Sequence, residues 1–256
     1  MLKPVEDFKI EVDGKLKIWR YVSKNIFDKL LDDRRLYFPS ARSLSKHDKF
    51  EGSISDVILR QELGDTTLTE EEMRILKKGY QKMPASKSFE ELLDMVNISC
   101  WHISNFESFL MWKVYGSKQS IAIQTSVEKL VDAIVPYTAP NAKGAEDLYF
   151  GRVNYIDFAS EEMDTGMELR FFHKKKEFSL ENEFRLLVSL RLACEFRAAN
   201  PGPGIKVALK GLDFIERVYV SPLESENYEK DIKSIIDKHG VSITVQRSSL
   251  SNYPVY

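Results

Sequence analysis

The 256-residue chain is poor in the residues that build disulfide and metal sites. Cys100 and Cys194 are its two cysteines, and its four histidines stand singly at 47, 102, 173 and 239. A disulfide framework is excluded, and no zinc site is expected because the cysteines and histidines lack ligand spacing. No apolar run approaches a membrane span, and Met1 to Asp7 lacks the apolar stretch of a secretion signal. The expectation is a soluble, cytoplasmic protein without a membrane partner. Neither sign of charge dominates: 37 Lys and Arg face 39 Asp and Glu, a formal net charge of -2. There is thus no global electrostatic footprint for nucleic acid, which could meet only a local patch. A Gly-rich phosphate loop, a nucleophile elbow and an internal repeat are all missing.

What is present is ample apolar content, 43% of residues, enough for the core of a single domain with a helical insertion. Phe8, Ile10 and Val12 alternate before an Asp13-Gly14 turn, and Leu16, Ile18 and Arg20 alternate after it, a hairpin pattern. Arg20 ends an apolar row, where reaching solvent is its simplest use. Ser23 caps a predicted helix over 25–31, and a short strand runs from Leu36 to Ser40 with Pro39 at its exit. A polar loop then carries Asp48 and Glu51. Residues 56–96 read as helices, with capping-box spacing at Thr69/Glu72 and Ser88/Glu91.

Downstream, Ile98–Ser104 alternates as a strand, followed by a helix over 105–115 capped by Asn105 and bearing Met111, Trp112 and Tyr115. Core packing is the ordinary use of those aromatics. Strands are expected at 120–124 and 152–156, and helices at 127–134 and 227–239, the last closed by Gly240. A further strand is expected at 241–246. Ile205–Leu209 and Ile215–Pro222 read as a hairpin-like pair. The fold class is α+β, a mixed or mostly antiparallel split sheet with a helical insertion over 56–96 in a single domain, 1–256.

The stretch Phe178–Val188 is the most informative. Read as one strand, it places Glu181, Glu183 and Arg185 on one face, with Leu180, Phe184, Leu186 and Val188 on the other. Two acids and a base sharing a face describe either a solvated outer surface or the rim of a cleft. Phe178 and Phe184 flank the acids, and a carboxylate beside apolar walls is where protonation is tuned.

In order, Ile18-Trp19-Arg20-Tyr21, Asp48-Lys49-Phe50-Glu51-Gly52, Met111-Trp112-Lys113-Val114-Tyr115-Gly116 and Glu181-Asn182-Glu183-Phe184-Arg185 resemble a signature. It is that of a large, poorly characterised bacterial family, a domain of unknown function. Its members carry Asp-Pro-Phe-Glu, Met-Trp-x-x-Tyr and Tyr-Glu-x-Glu-x-Arg boxes. The chain departs from the pattern at Lys49 (usually proline), Ser120 (commonly glycine) and Phe178 (a tryptophan in the family). The landmark order is also similar, distantly, to the ADP-ribosyltransferase superfamily, whose split, mostly antiparallel sheet binds NAD in a central cleft.

That resemblance implies an NAD-dependent ADP-ribosyltransferase or NAD glycohydrolase, of a bacterial defence or toxin type, with the acceptor of ADP-ribose left open. It implies Glu183 as stabiliser of the ribosyl cation, Glu181 as the group that polarises the acceptor, and Arg185 as their partner. Arg20, Tyr21, Trp112, Tyr115, Asp48 and Glu51 are implied as the NAD-binding set. Two alternatives stand beside it. One is a metal-dependent nuclease or phosphodiesterase using Asp48, Glu51, Glu181 and Glu183. The other is a non-catalytic nucleotide-binding defence module.

Overall fold

The computed structural model describes residues 2–4, 13–64, 67–80, 84–116 and 118–251. In chain order its elements are β1 (Leu2–Pro4), β2 (Lys17–Ser23), α1 (Lys24–Asp33), β3 (Arg35–Pro39) and α2 (Ala41–Leu44). The helices α3 (Asp56–Leu63), α4 (Glu70–Tyr80) and α5 (Pro84–Met95) follow, then β4 (Val96–Ile103), α6 (Phe109–Val114), β5 (Ser120–Ser126) and α7 (Val127–Ala133). The C-terminal half holds β6 (Leu148–Arg152), β7 (Asn154–Ile156), β8 (His173–Lys175), β9 (Glu183–Ser189) and α8 (Arg191–Glu195). It closes with β10 (Gly204–Ala208), β11 (Arg217–Val220), α9 (Glu226–Lys238) and β12 (Thr244–Arg247).

One eight-stranded sheet, ordered β1-β6-β9-β4-β2-β5-β11-β12, organises the molecule. Its inner pairs are antiparallel, and only the edge pairs β1/β6 and β11/β12 are parallel. The α+β class with a mostly antiparallel sheet is therefore as the sequence indicates. Because side chains alternate, each strand feeds two cores. Ile18 and Val22 of β2, Trp101 of β4 and Phe184, Leu186 and Val188 of β9 join one core with Phe27, Leu30 and Leu31 of α1 and Ile232 and Ile236 of α9. On the other face Ile98 and Leu187 pack with Phe171 and Phe172, while Trp19 and Tyr21 pack with Met111 and Trp112.

The sheet is held weakly at its middle. β2 meets β4 through only Ile18↔Ile103 and Trp19↔His102, whereas it pairs with β5 along its full length, from Lys17↔Ser126 to Ser23↔Ser120. Beyond Trp19 the β2/β4 ladder stops, and side chains take over from backbone bonds. Arg20 donates to Ser99 Oγ at 2.8 Å and to the carbonyl of Tyr37 at 3.0 Å.

Local signals explain most boundaries. Ser23 accepts from the Ile26 amide and Arg34 closes α1 in the left-handed region, so the ten-residue helix presents Phe27, Leu30 and Leu31 inward. The Thr69/Glu72 capping box is reciprocal: the Thr69 amide donates to Glu72 Oε2 at 2.8 Å, and the Glu72 amide donates to Thr69 Oγ1 at 3.3 Å.

Several expectations are corrected. α5 begins at Pro84, so Ser88 lies within the helix and not at its start, in keeping with the fit of proline in a first helical turn. Ser108, not Asn105, caps α6, since its hydroxyl accepts from the Met111 amide. β10 pairs with β3 and β11 with β5, so residues 205–222 form no hairpin. The Asp13-Gly14 turn is present, with the Leu16 amide donating to the Asp13 carbonyl. The Phe8–Val12 arm lies outside the described residues.

The main correction concerns Phe178–Val188. Lys176–Glu181 is a 3-10 helix, Asn182 closes it in the left-handed region (φ 39, ψ 62), and β9 starts only at Glu183. Alternation therefore does not put Glu181 beside Glu183; the helical turn does. Asn182 fits its role because its short polar side chain tolerates that conformation, and its Nδ2 donates to the Ile103 carbonyl at 2.7 Å.

Candidate active site

A cavity of about 320 Å³ opens beside the incomplete β2/β4 junction. Trp19 and Tyr21 come from β2, Cys100 and His102 from β4, Glu183 and Arg185 from β9, Met111 from α6, and Asp48 and Glu51 from the loop after α2. Three segments far apart in sequence, 19–21, 111–115 and 181–185, thus meet in one place. Register explains part of this: Cys100 lies opposite Arg185 and His102 opposite Glu183.

At the centre is a chain of charges. Arg185, 1% exposed, donates from Nε to Glu183 Oε2 at 2.7 Å and forks to both oxygens of Glu51 at 2.7 and 3.1 Å. It also donates to the Phe171 carbonyl. Lys174 of β8 bridges the two glutamates, bonding Glu181 Oε2 and donating to Glu183 Oε1 at 2.8 Å. Its ammonium lies 4.6 Å from the ring centroid of Phe178. Glu181 is completed by Tyr115, whose hydroxyl donates to Oε1 at 2.8 Å.

These surroundings push the two carboxyls apart. For Glu183 burial favours the neutral acid, but Arg185 and Lys174 outweigh it and hold the group well below the ordinary carboxylate range. Glu181 is raised, first by burial and then by the neighbouring Glu183. Burial alone would lower Lys174, yet Glu183 and Glu181 keep it raised and charged. For Glu51 burial pushes up and Arg185 pulls down; we read the pair as ionised because its geometry is the bidentate fork of guanidinium and carboxylate.

The aromatic and polar walls complete the site. Tyr21 accepts from the Ser108 amide at 2.8 Å, and burial pushes its phenol up. His102 Nδ1 lies 2.6 Å from the Glu181 carbonyl, which assigns the ring proton to Nδ1 and leaves Nε2 as the acceptor. Burial holds His102 below its usual value. Burial also pushes the Cys100 thiol up, with Glu183 adding to the effect, so Cys100 is no ready nucleophile.

The expected residues do not all occupy one position. Tyr21, Tyr115, Asp48, Glu51, Glu181, Glu183 and Arg185 line the cavity. Arg20 also lines it, but from the opposite row of β2, shared with Ile18 and Val22; burial lowers its guanidinium to about 10. Trp112 lies behind the wall: it is buried, packs edge-on against Tyr21 at 4.8 Å, and donates from Nε1 to Glu107 at 3.0 Å. Glu51 is occupied by Arg185, and Phe184 faces the other core beside Phe150. Lys174 is the residue sequence reading missed. Its signal was a Lys174-Lys175-Lys176 run seven residues before the first acid, in a segment with no readable period.

Chemically, the arrangement offers one fixed carboxylate, one carboxyl close to a proton-transfer role, and aromatic walls. The oxygens a divalent cation would need on Glu51 and Glu183 are already bonded by Arg185 and Lys174. Among the described residues no group of three acids, histidines or cysteines is arranged to hold a metal ion. Among the described residues no helix is long and apolar enough to cross a membrane. Comparison with family models, with curated proteins and with solved structures returns no match.

Proposed function

We propose that this cleft cleaves the nicotinamide-ribose bond of NAD and transfers the ADP-ribosyl group, in a split sheet of the ADP-ribosyltransferase kind. The observation that carries the reading is the pair Glu181 and Glu183, joined through Lys174 at the wall of an aromatic cavity and driven to opposite protonation tendencies. Carboxyls pushed apart in this way mark the division between a charge stabiliser and a proton acceptor.

The step balances without a cofactor beyond NAD itself. The C1′–N bond breaks with its electron pair leaving on nicotinamide, and the ribosyl carbon becomes oxocarbenium-like. Glu183, held ionised by Arg185 and Lys174, stabilises that charge. An acceptor hydroxyl or water then bonds to C1′, and its proton passes to Glu181, whose raised affinity makes it the better base of the two. Tyr115 and Tyr21 pack on the nicotinamide ring, with Trp112 stiffening Tyr21 from behind, and Arg20 meets a phosphate or ribose oxygen from the cavity wall. A cavity of about 320 Å³ takes the nicotinamide-ribose half, leaving the adenylate half along the mouth.

The test is to incubate the protein with NAD labelled in its adenylate half, with and without cell extract, in the presence of a chelator. Chromatography follows nicotinamide release, and mass spectrometry follows the label. The reading requires release above a Glu183→Gln control, insensitive to chelation. A rate equal to buffer alone in both conditions contradicts it.

A further inference from the structure

Asp48 is the carboxylate of the cavity that no cation meets among the described residues. It is 5% exposed, and its Oδ1 accepts from the Phe50 amide at 2.9 Å, closing the local turn. Its Oδ2 is buried and has no hydrogen-bond partner among the described residues. The three neighbouring acids are all matched: Glu51 and Glu183 by Arg185, and Glu181 and Glu183 by Lys174. Arg20 directs its guanidinium to Ser99 and Tyr37. Of the four carboxyl groups that line the cavity, Asp48 is thus the one to which no cation is bonded among the described residues.

An unpaired buried carboxylate is costly unless something brings it a donor and a positive charge. The other walls favour the same visitor. Trp19, Tyr21 and Tyr115 line the space, and aromatic faces attract cations, most strongly where water is excluded. An anionic head group meets only repulsion from Asp48, and a neutral one leaves its charge unanswered.

We propose that the inner cavity is a receptor for a cationic aromatic head group, with Asp48 as the residue that reads its charge. This rests on the NAD reading and narrows it: the pyridinium of oxidised NAD is selected over the neutral ring of the reduced form and over acid analogues. A carboxamide on that ring would supply the N–H that Asp48 Oδ2 lacks.

The experiment is isothermal titration of the full chain with three probes of nearly equal shape: 1-methylnicotinamide (cation), nicotinamide (neutral) and nicotinate (anion). The expected order is cation tightest and anion weakest, with the cation favoured over the neutral probe on the order of tenfold or more. Asp48→Asn should reduce that preference to about threefold or less while circular dichroism stays unchanged, since losing one charge removes its electrostatic basis. Equal affinities, tightest binding of nicotinate, or no binding by any probe would overturn the receptor, and the wild-type series alone is enough to do so. The two readings separate cleanly. Cleavage of NAD without charge selection removes the receptor and keeps the transferase; charge selection without cleavage does the reverse.

Discussion

Replacing Lys174 by methionine tests how the charge chain is held together. The side chain is 8% exposed and is bonded to both glutamates, so methionine keeps most of the volume and removes the one cation paired with Glu181 among the described residues. Removing one partner of a buried pair costs about 3–5 kcal/mol when the other is left charged. Here the loss is graded. Glu183 keeps Arg185, and Glu181 can take up a proton instead of remaining an unmatched anion. Glu181 is already raised in the folded protein, so its contribution is full at pH below its unfolded value and fades as pH rises through its folded value. Without Lys174 its folded value rises further, and keeping it protonated costs about 1.4 kcal/mol for each pH unit above its unfolded value. The deficit of Lys174→Met should therefore be about 1–2 kcal/mol near pH 5 and approach about 3–5 kcal/mol near pH 8. Urea unfolding followed by circular dichroism at both pH values measures it. A deficit that shrinks as pH rises, or none at pH 8, would refute the reasoning.

Other consequences are as direct. Arg185→Ala leaves Glu51 and Glu183 buried without their guanidinium and should lose about 3–5 kcal/mol in chemical denaturation. Arg185→Lys should recover only part of that, because an ammonium cannot fork to Glu51 while reaching Glu183. Gly52 has φ +70, and a Cβ there would strike the ring of Phe171, whose carbonyl accepts from Arg185. Gly52→Ala should cost about 1–3 kcal/mol and lower the thermal midpoint. Tyr115→Phe removes a half-exposed hydroxyl from Glu181, so stability should change by about 1 kcal/mol or less. Its signature would be the acid limb of the pH profile for ADP-ribose transfer moving to higher pH.

How much was legible in the sequence depends on the kind of signal. Strands with visible alternation, expected around Leu16, Ile18 and Arg20 and over Ile98–Ser104 and found as Lys17–Ser23 and Val96–Ile103, and helices with caps, such as Ser23 and Thr69, declare themselves through local chemistry. The Glu181, Glu183 and Arg185 grouping was visible too, though for a partly wrong reason: a 3-10 turn and an αL asparagine bring Glu181 to the site, not strand alternation. Pairing partners were not legible, as β10 and β11 show, because register across a sheet depends on residues distant in sequence. Lys174 was hidden for the same reason. It lies on a three-residue strand paired with β7, and nothing in its sequence neighbourhood signals burial. The role of Trp112 turned on which side of Tyr21 it packs, a matter of tertiary contact alone.

Glu183 also sits deeper than a place on a cleft rim would imply: it is 6% exposed between two cations, so Glu183→Gln should cost stability as well as chemistry. Rates must therefore be compared on protein shown by circular dichroism to be folded at the assay temperature. The decisive measurement is the initial rate of nicotinamide release from NAD by wild type, Glu181→Gln and Glu183→Gln, with ADP-ribose incorporation followed in parallel. Glu183→Gln should show a fall on the order of a hundredfold or more in both readouts. Glu181→Gln should lose transfer while slow hydrolysis survives. Release by both variants at the wild-type rate would contradict the proposed roles of the two glutamates.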